Sequence, residues 1–228
     1  MSAVYEHARS RTADEDSRDL SFAWDQWRYT DYFLFEEDAS AAPFESLSDL
    51  ACRGFVIAVA EAITARFHAH RGTEEARSYL DATWATMLRE GACDYALLPA
   101  EDWPGPVRGA LRAAMLVVND TLHEARDDGD FAARCVWILQ LARHVLPPRL
   151  RPEFEAWVAD ATSRLARHWP LPEHRSGLFA ESFDRGPPVG PCTFLPDDPG
   201  TPESAAACLA RHLATLGGNP WLLPSDTA

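Results

Sequence analysis

Lysine is missing from this chain: all 21 basic residues are arginine. No Schiff-base lysine, P-loop lysine or lysine general base can operate here. Lysine side-chain acetylation is excluded as well. A GC-rich genome, which favours arginine codons, would produce this bias, and so would selection against lysine modification. No two cysteines are spaced CxxC, which excludes a zinc ribbon and a vicinal redox motif. The five cysteines are scattered, and Cys52, Cys135 and Cys208 fall in helix-like stretches, where they read as small core residues. There is no G-x-S-x-G elbow and no glycine-rich phosphate loop. The longest apolar stretch, GFVIAVAEAITARF, is interrupted by Glu61 and Arg66 and falls short of the roughly 18 residues a bilayer span needs. No signal-peptide core opens the sequence, so a cytoplasmic location is expected. Positive charge is also in short supply. The net charge of -14 repels a phosphate backbone, so nucleic acid is not the expected partner. The same field attracts and steers a basic protein.

What is present has a helical period. Residues 1–20 are polar and are expected to be disordered, leaving 21–228 as one helical domain. Residues 21–38 are crowded with aromatic side chains, and the spacing suits a short helix followed by an extended piece. SLSDLACRGFVIAVAEAITARFHAH predicts a central helix that is apolar on most sides, with Ser46 or Ser48 as its cap. TEEARSYLDATWATMLRE predicts a second helix behind Thr73. A third is expected from about 104 to 126 on the stripe Val107, Leu111, Met115, Val118 and Leu122. A fourth spans about 130–146 and a fifth about 149–169, each closed by proline. Eight of the 17 prolines fall in 170–202. That stretch also carries Phe194 and Leu195, so an ordered excursion packed across the bundle is expected. Thr201 and Pro202 open the last helix, and the tail should dock Trp221 and Leu222. The expected fold is all-α: a single-domain helical bundle of about six to seven helices, with a long Pro-rich loop before the last.

The stretch VNDTLHEARDDGD, residues 118–130, is the most polar cluster in an apolar region. Asp120, His123 and Asp127 share one helix face, because their offsets align side chains. They are the candidate metal ligands, although a lone helix supplies too few groups for a buried site. NDTLHEARD is similar to the second metal-binding motif of terpene cyclases, with an acid at Asp127. It departs from that motif at His123, where a hydroxyl residue is wanted, and the family's upstream aspartate-rich motif is missing. No cofactor is therefore expected. His68, His70, His123, His144, His168 and His212 sit near helix C-termini, where cationic groups are stabilised. In an up-down bundle, four of them (His68, His70, His123 and His168) could gather at one end.

No catalytic residue can be assigned from this pattern. The sequence points to a non-catalytic acidic binding protein that engages a basic protein, as an immunity or antitoxin-like inhibitor or an adaptor would. Its expected contact residues are Trp24, Trp27, Tyr29, Glu36, Glu37 and Asp38, because acid beside aromatic rings pairs with arginine through both charge and ring face. The alternative is a small helical-bundle enzyme with a core pocket, metal-dependent through Asp120, His123 and Asp127.

Overall fold

A computed structural model describes residues 1–33, 41–125, 130–172 and 185–224. The all-α expectation holds. Nine α-helices stand among the described residues: α1 (Ala3–Arg11), α2 (Asp14–Arg18), α3 (Ala42–Glu45), α4 (Asp49–Arg66), α5 (Glu74–Thr83), α6 (Gly105–His123), α7 (Phe131–Val145), α8 (Arg151–His168) and α9 (Pro202–Leu213). Pairing between extended segments is limited there to two isolated bridges, Leu47 with Pro170 and Cys93 with Leu222.

Helix α4 is the axis of the fold and packs against α1, α6 and α7. It starts where Ser48 accepts a hydrogen bond from the Ala51 amide, so Ser48 rather than Ser46 is the cap. Sixteen of its eighteen residues are buried, as a helix apolar on most sides requires. Burying it also buries Arg53, Glu61 and Arg66. The stripe on α6 is read correctly: Leu111, Met115, Val118 and Leu122 are buried and Val107 packs against the core. Thr73 stands at the cap position of α5 without a side-chain bond. That helix stops earlier than its sequence suggests and tightens into a 3-10 turn, Trp84–Met87. The Thr83 and Thr86 hydroxyls there donate to carbonyls three residues back, which favours the tighter winding.

The first twenty residues need correction. They form α1 and α2, and Ser2, Val4, Tyr5, Asp16 and Ser17 are buried. Their polar composition misleads because the core itself requires polar partners. The Arg66 guanidinium, inside the fold, donates to the carbonyls of Val145 (2.9 Å), Ser17 (2.8 Å) and Asp19. The ring nitrogens of His68 and His70 bond the carbonyls of Thr12 and Ser17 at 3.1 and 2.9 Å. The N-terminal segment thus supplies acceptors that the end of α4 would otherwise lack.

The described part of the Pro-rich excursion lies across α4 and α8. Val189 sits where Gly54 leaves room, since a Cβ there would meet it at 3.0 Å. The Trp157 indole donates to the Phe194 carbonyl (2.8 Å) and Arg164 to the Leu195 carbonyl (2.7 Å). Leu178, Phe179 and Phe183, the other large apolar residues of this stretch, lie outside the described residues. Helix α9 opens on Thr201 and Pro202 as anticipated, with Ser204 completing a reciprocal capping box.

The described part of the aromatic stretch forms neither a full helix nor a strand. Residues 22–33 are an irregular strap ending in one 3-10 turn, Tyr29–Tyr32. Trp24 stacks on Tyr32 at 4.9 Å and Tyr32 on His144 at 4.4 Å, while His144 also bonds the Ala23 carbonyl. The strap approaches α6 at Gly109, where a Cβ would lie 2.5 Å from the Trp24 indole nitrogen. Gly to Ala in an exposed helix gains about 1 kcal/mol. Here the sign reverses, because Trp24 is wedged between α6 and Tyr32. Gly109→Ala is expected to cost about 1–3 kcal/mol in chemical denaturation, with Trp24 displaced. An unchanged or raised midpoint would show that the strap yields freely.

Candidate functional site

Two features of α6 build the site. Asn119, facing inward, grips the segment that follows the α5 turn: its side-chain amide donates to the Ala96 carbonyl (2.7 Å) and its oxygen accepts from the Ala96 amide (3.2 Å) and the Tyr79 hydroxyl (2.5 Å). Burial raises the Tyr79 phenol well above its usual range, so it remains a donor. With Ala96 fixed inward, Tyr95 and Leu97 on either side turn out to solvent, 44% and 81% exposed. One residue on, Asp120 faces the other way. The strap then delivers Tyr29 and Phe33, and α7 delivers Trp137.

Together these residues enclose a cleft of about 290 Å³, lined by Tyr29, Phe33, Tyr95 and Trp137, by Asp120 and Glu124, and by Leu116 and Val117. The protein's own arginines already pair with this lining. Arg134 donates to the Asp120 carboxylate at 2.5 Å and lies 5.0 Å from the centre of the Trp137 ring. Arg112 lies 4.7 Å from the centre of the Tyr29 ring and donates to the Leu98 carbonyl. Carboxylate and ring face are therefore arranged as planar guanidinium groups require. Trp27, two residues before Tyr29, is 85% exposed.

No family model, curated protein or solved structure matches the chain.

The residues expected to meet a partner separate in the structure. Tyr29 lines the cleft, Trp27 stands free in solvent, and Trp24 is packed inside the strap against Gly109 and Tyr32. Glu36, Glu37 and Asp38 lie outside the described residues. Tyr95 and Trp137 line the cleft although no sequence motif marks them, and Leu97 is exposed two residues beyond Tyr95. Tyr95 and Leu97 carry a faint signal, being large side chains in a stretch with no helical period.

The candidate metal set is not assembled. The Asp120 carboxylate is engaged by Arg134, and His123 stands against the Tyr95 ring at 5.3 Å. Burial, and then repulsion by Arg53, push the His123 imidazole below its usual value. Asp127 lies outside the described residues. Among the described residues, no three His, Cys, Asp or Glu side chains converge as metal ligands. Nor do His68, His70, His123 and His168 gather. His68 and His70 each bond a backbone carbonyl of the N-terminal segment, His123 meets Tyr95, and His168 packs edge-on against Trp169. Each ring answers a local acceptor or ring, and these partners lie on different segments.

A second cluster of ionisable groups is closed inside the fold. Glu61 is fully buried on α4; its carboxyl takes hydrogen bonds from the Ser2 hydroxyl and, at 3.0 Å, from the Trp84 indole. Burial, aided by the nearby Asp81, pushes Glu61 up to about 8. Asp81 in turn has its carbonyl bonded by His212 at 3.0 Å. This cluster holds α1, α4, the Trp84 turn and α9 together. It does not line the cleft.

Proposed function

We propose that this chain is a non-catalytic, cytoplasmic binding protein whose aromatic and acidic cleft receives an arginine-bearing segment of a basic protein. An inhibitor of a basic nuclease toxin, of the immunity or antitoxin kind, fits this reading, and so does an adaptor. The observation that carries it is the cleft itself, where the chain's own Arg112 and Arg134 lie against Tyr29, Trp137 and Asp120. A guest guanidinium would take these ring faces and the Asp120 carboxylate in exchange for Arg112 and Arg134, which hold them in the free chain. Two further features support the reading. The net charge of -14 steers a basic partner toward the chain. Trp27, Tyr95 and Leu97 provide exposed apolar anchors next to the cleft, or within two residues of it in sequence, and aromatic anchors of this kind dominate interface energies. No described helix is long and apolar enough to cross a membrane.

Calorimetric titration with an arginine-rich peptide and with a lysine-rich peptide of equal length and charge tests the reading. The arginine peptide is expected to bind more tightly, because only guanidinium stacks on rings while pairing with carboxylate. Its affinity should fall at least about tenfold between roughly 50 and 300 mM salt. Trp27→Ala and Tyr95→Ala should each weaken it by about 1–2 kcal/mol without changing the helical signal. Equal affinity for both peptides, or binding indifferent to salt, would refute the assignment.

A further inference from the structure

We propose that Cys192 and Cys208 are a reversible thiol–disulfide pair: a modification site that a hydroperoxide oxidises and a low-molecular-weight thiol resets. The five cysteines fall into two groups. Cys52, Cys93 and Cys135 are buried free thiols, whereas Cys192 and Cys208 are joined across 16 positions. The first group is chemically quiet, since burial pushes the Cys93 thiol up to about 12 and raises Cys135 as well. The pair stands in a different setting. Cys192 is half-buried on the short turn Pro191–Phe194, and Cys208 is buried on α9. Arg211, three residues beyond Cys208, reaches the Cys192 sulfur at 3.9 Å. The Cys192 amide donates to the Cys208 sulfur at 3.1 Å. Both contacts favour negative charge on sulfur, which makes the reduced thiol a nucleophile and the attacked disulfide a ready leaving group.

The backbone does not need the bond to bring the sulfurs together. The turn is fixed by Trp157 and Arg164 on its carbonyls and by Val189 against Gly54. Gly190 lies so close to α9 that a Cβ would fall 2.2 Å from the Ala205 carbonyl oxygen. The Cα atoms lie 6.0 Å apart in the bonded pair, within the usual range for a disulfide.

The reaction balances as follows. The Cys192 thiolate attacks the distal oxygen of a hydroperoxide, the O–O bond breaks, and an alcohol (water, from hydrogen peroxide) leaves after taking a proton. The Cys192 sulfenic acid is then attacked by the Cys208 sulfur, the S–S bond forms, and the hydroxyl leaves with the Cys208 proton as water. Two electrons pass from the two sulfurs to the peroxide. Two molecules of a small thiol return them, becoming the small disulfide while both cysteines regain their protons. This chemistry does not depend on the partner reading, and it reconciles a disulfide with a cytoplasmic location, where such bonds are transient.

The test uses the full chain, reduced and freed of reductant. Roughly one equivalent of hydrogen peroxide should remove two hydrogens from the intact mass and join the peptides carrying Cys192 and Cys208. Cys52, Cys93 and Cys135 should take up alkylating reagent only after unfolding. Millimolar glutathione should reopen the bond under native conditions. Arg211→Gln, with an unchanged helical signal, should slow both directions by about tenfold at neutral pH and shift the alkylation profile of Cys192 to higher pH. Cys208→Ser should trap Cys192 as its glutathione mixed disulfide. A bond that resists glutathione in the folded protein would make the pair a structural staple and overturn the proposal. So would equal labelling of all five thiols, or rates unaffected by Arg211→Gln.

Discussion

Glu61→Gln is expected to stabilise the protein by about 2–4 kcal/mol near pH 9 and to change it little near pH 4. The Glu61 carboxyl is held at about 8 in the fold, against an ordinary value of 4.5. The folded state therefore keeps a proton that the unfolded chain gives up above pH 4.5. Stability that this proton supports is complete below about 4.5, falls as pH rises through the window to about 8, and is gone above it. The Ser2 hydroxyl and the Trp84 indole both donate to the Glu61 carboxyl. Glutamine keeps an acceptor for the indole at every pH and carries no charge to bury. Chemical denaturation of both proteins at about pH 5, 7 and 9 should give curves that diverge as pH rises. Parallel curves would show that the Glu61 carboxyl is charged in the fold.

Arg66→Leu should act in the opposite direction, costing about 3–5 kcal/mol. Its guanidinium joins three carbonyls from two separate parts of the chain, Val145 at the end of α7 and Ser17 and Asp19 after α1. It also lies over the Phe67 ring at 4.4 Å. Burial brings it down to about 10, still high enough to remain charged at neutral pH. Leucine fills much of the volume but leaves the carbonyls without their donor. Residues 12–20 should then become protease-sensitive and exchange their amides faster, while α6 and α7 stay protected. Arg66→Lys should recover only part of the loss, since one ammonium cannot match the planar reach to three acceptors. Retained protection across 12–20 in Arg66→Leu would mean that His68, His70 and the buried Val4 and Tyr5 hold the segment without Arg66.

These two residues show how far the sequence could be read. Glu61 and Arg66 both appear as interruptions of an apolar run, and the run itself predicts a helix that no neighbour leaves exposed. A charged group in such a helix must be buried, and a buried charge must have partners. That much follows from spacing. The identity of the partners does not, because Ser2 and Ser17 lie about fifty or more positions away in a stretch whose composition resembles a disordered tail. The cleft was legible in a similar, partial way. Tyr29 and Asp120 stand out in sequence, one as an aromatic and the other as an acid, but they lie far apart along the chain. Only the packing of the strap on α6 and α7 brings them to one cleft.

The sequence by itself determined the helices. Apolar residues at helical spacing, Ser48 and Thr201 at caps, and prolines after α7 and α8 fix where the chain winds and stops, since those effects act within one or two turns. It also determined the acidity and removed lysine chemistry. Tertiary structure decided which polar groups are structural and which are presented. Asn119 and Asp120 are neighbours, yet one is buried to hold Ala96 and the other faces the cleft, because α6 turns each residue by about 100° and only its neighbours define inside and outside. Cys192 and Cys208 became a pair for the same reason: their Cα atoms are brought within 6.0 Å by the packing of the Pro191–Phe194 turn on α9, a contact that no local rule encodes.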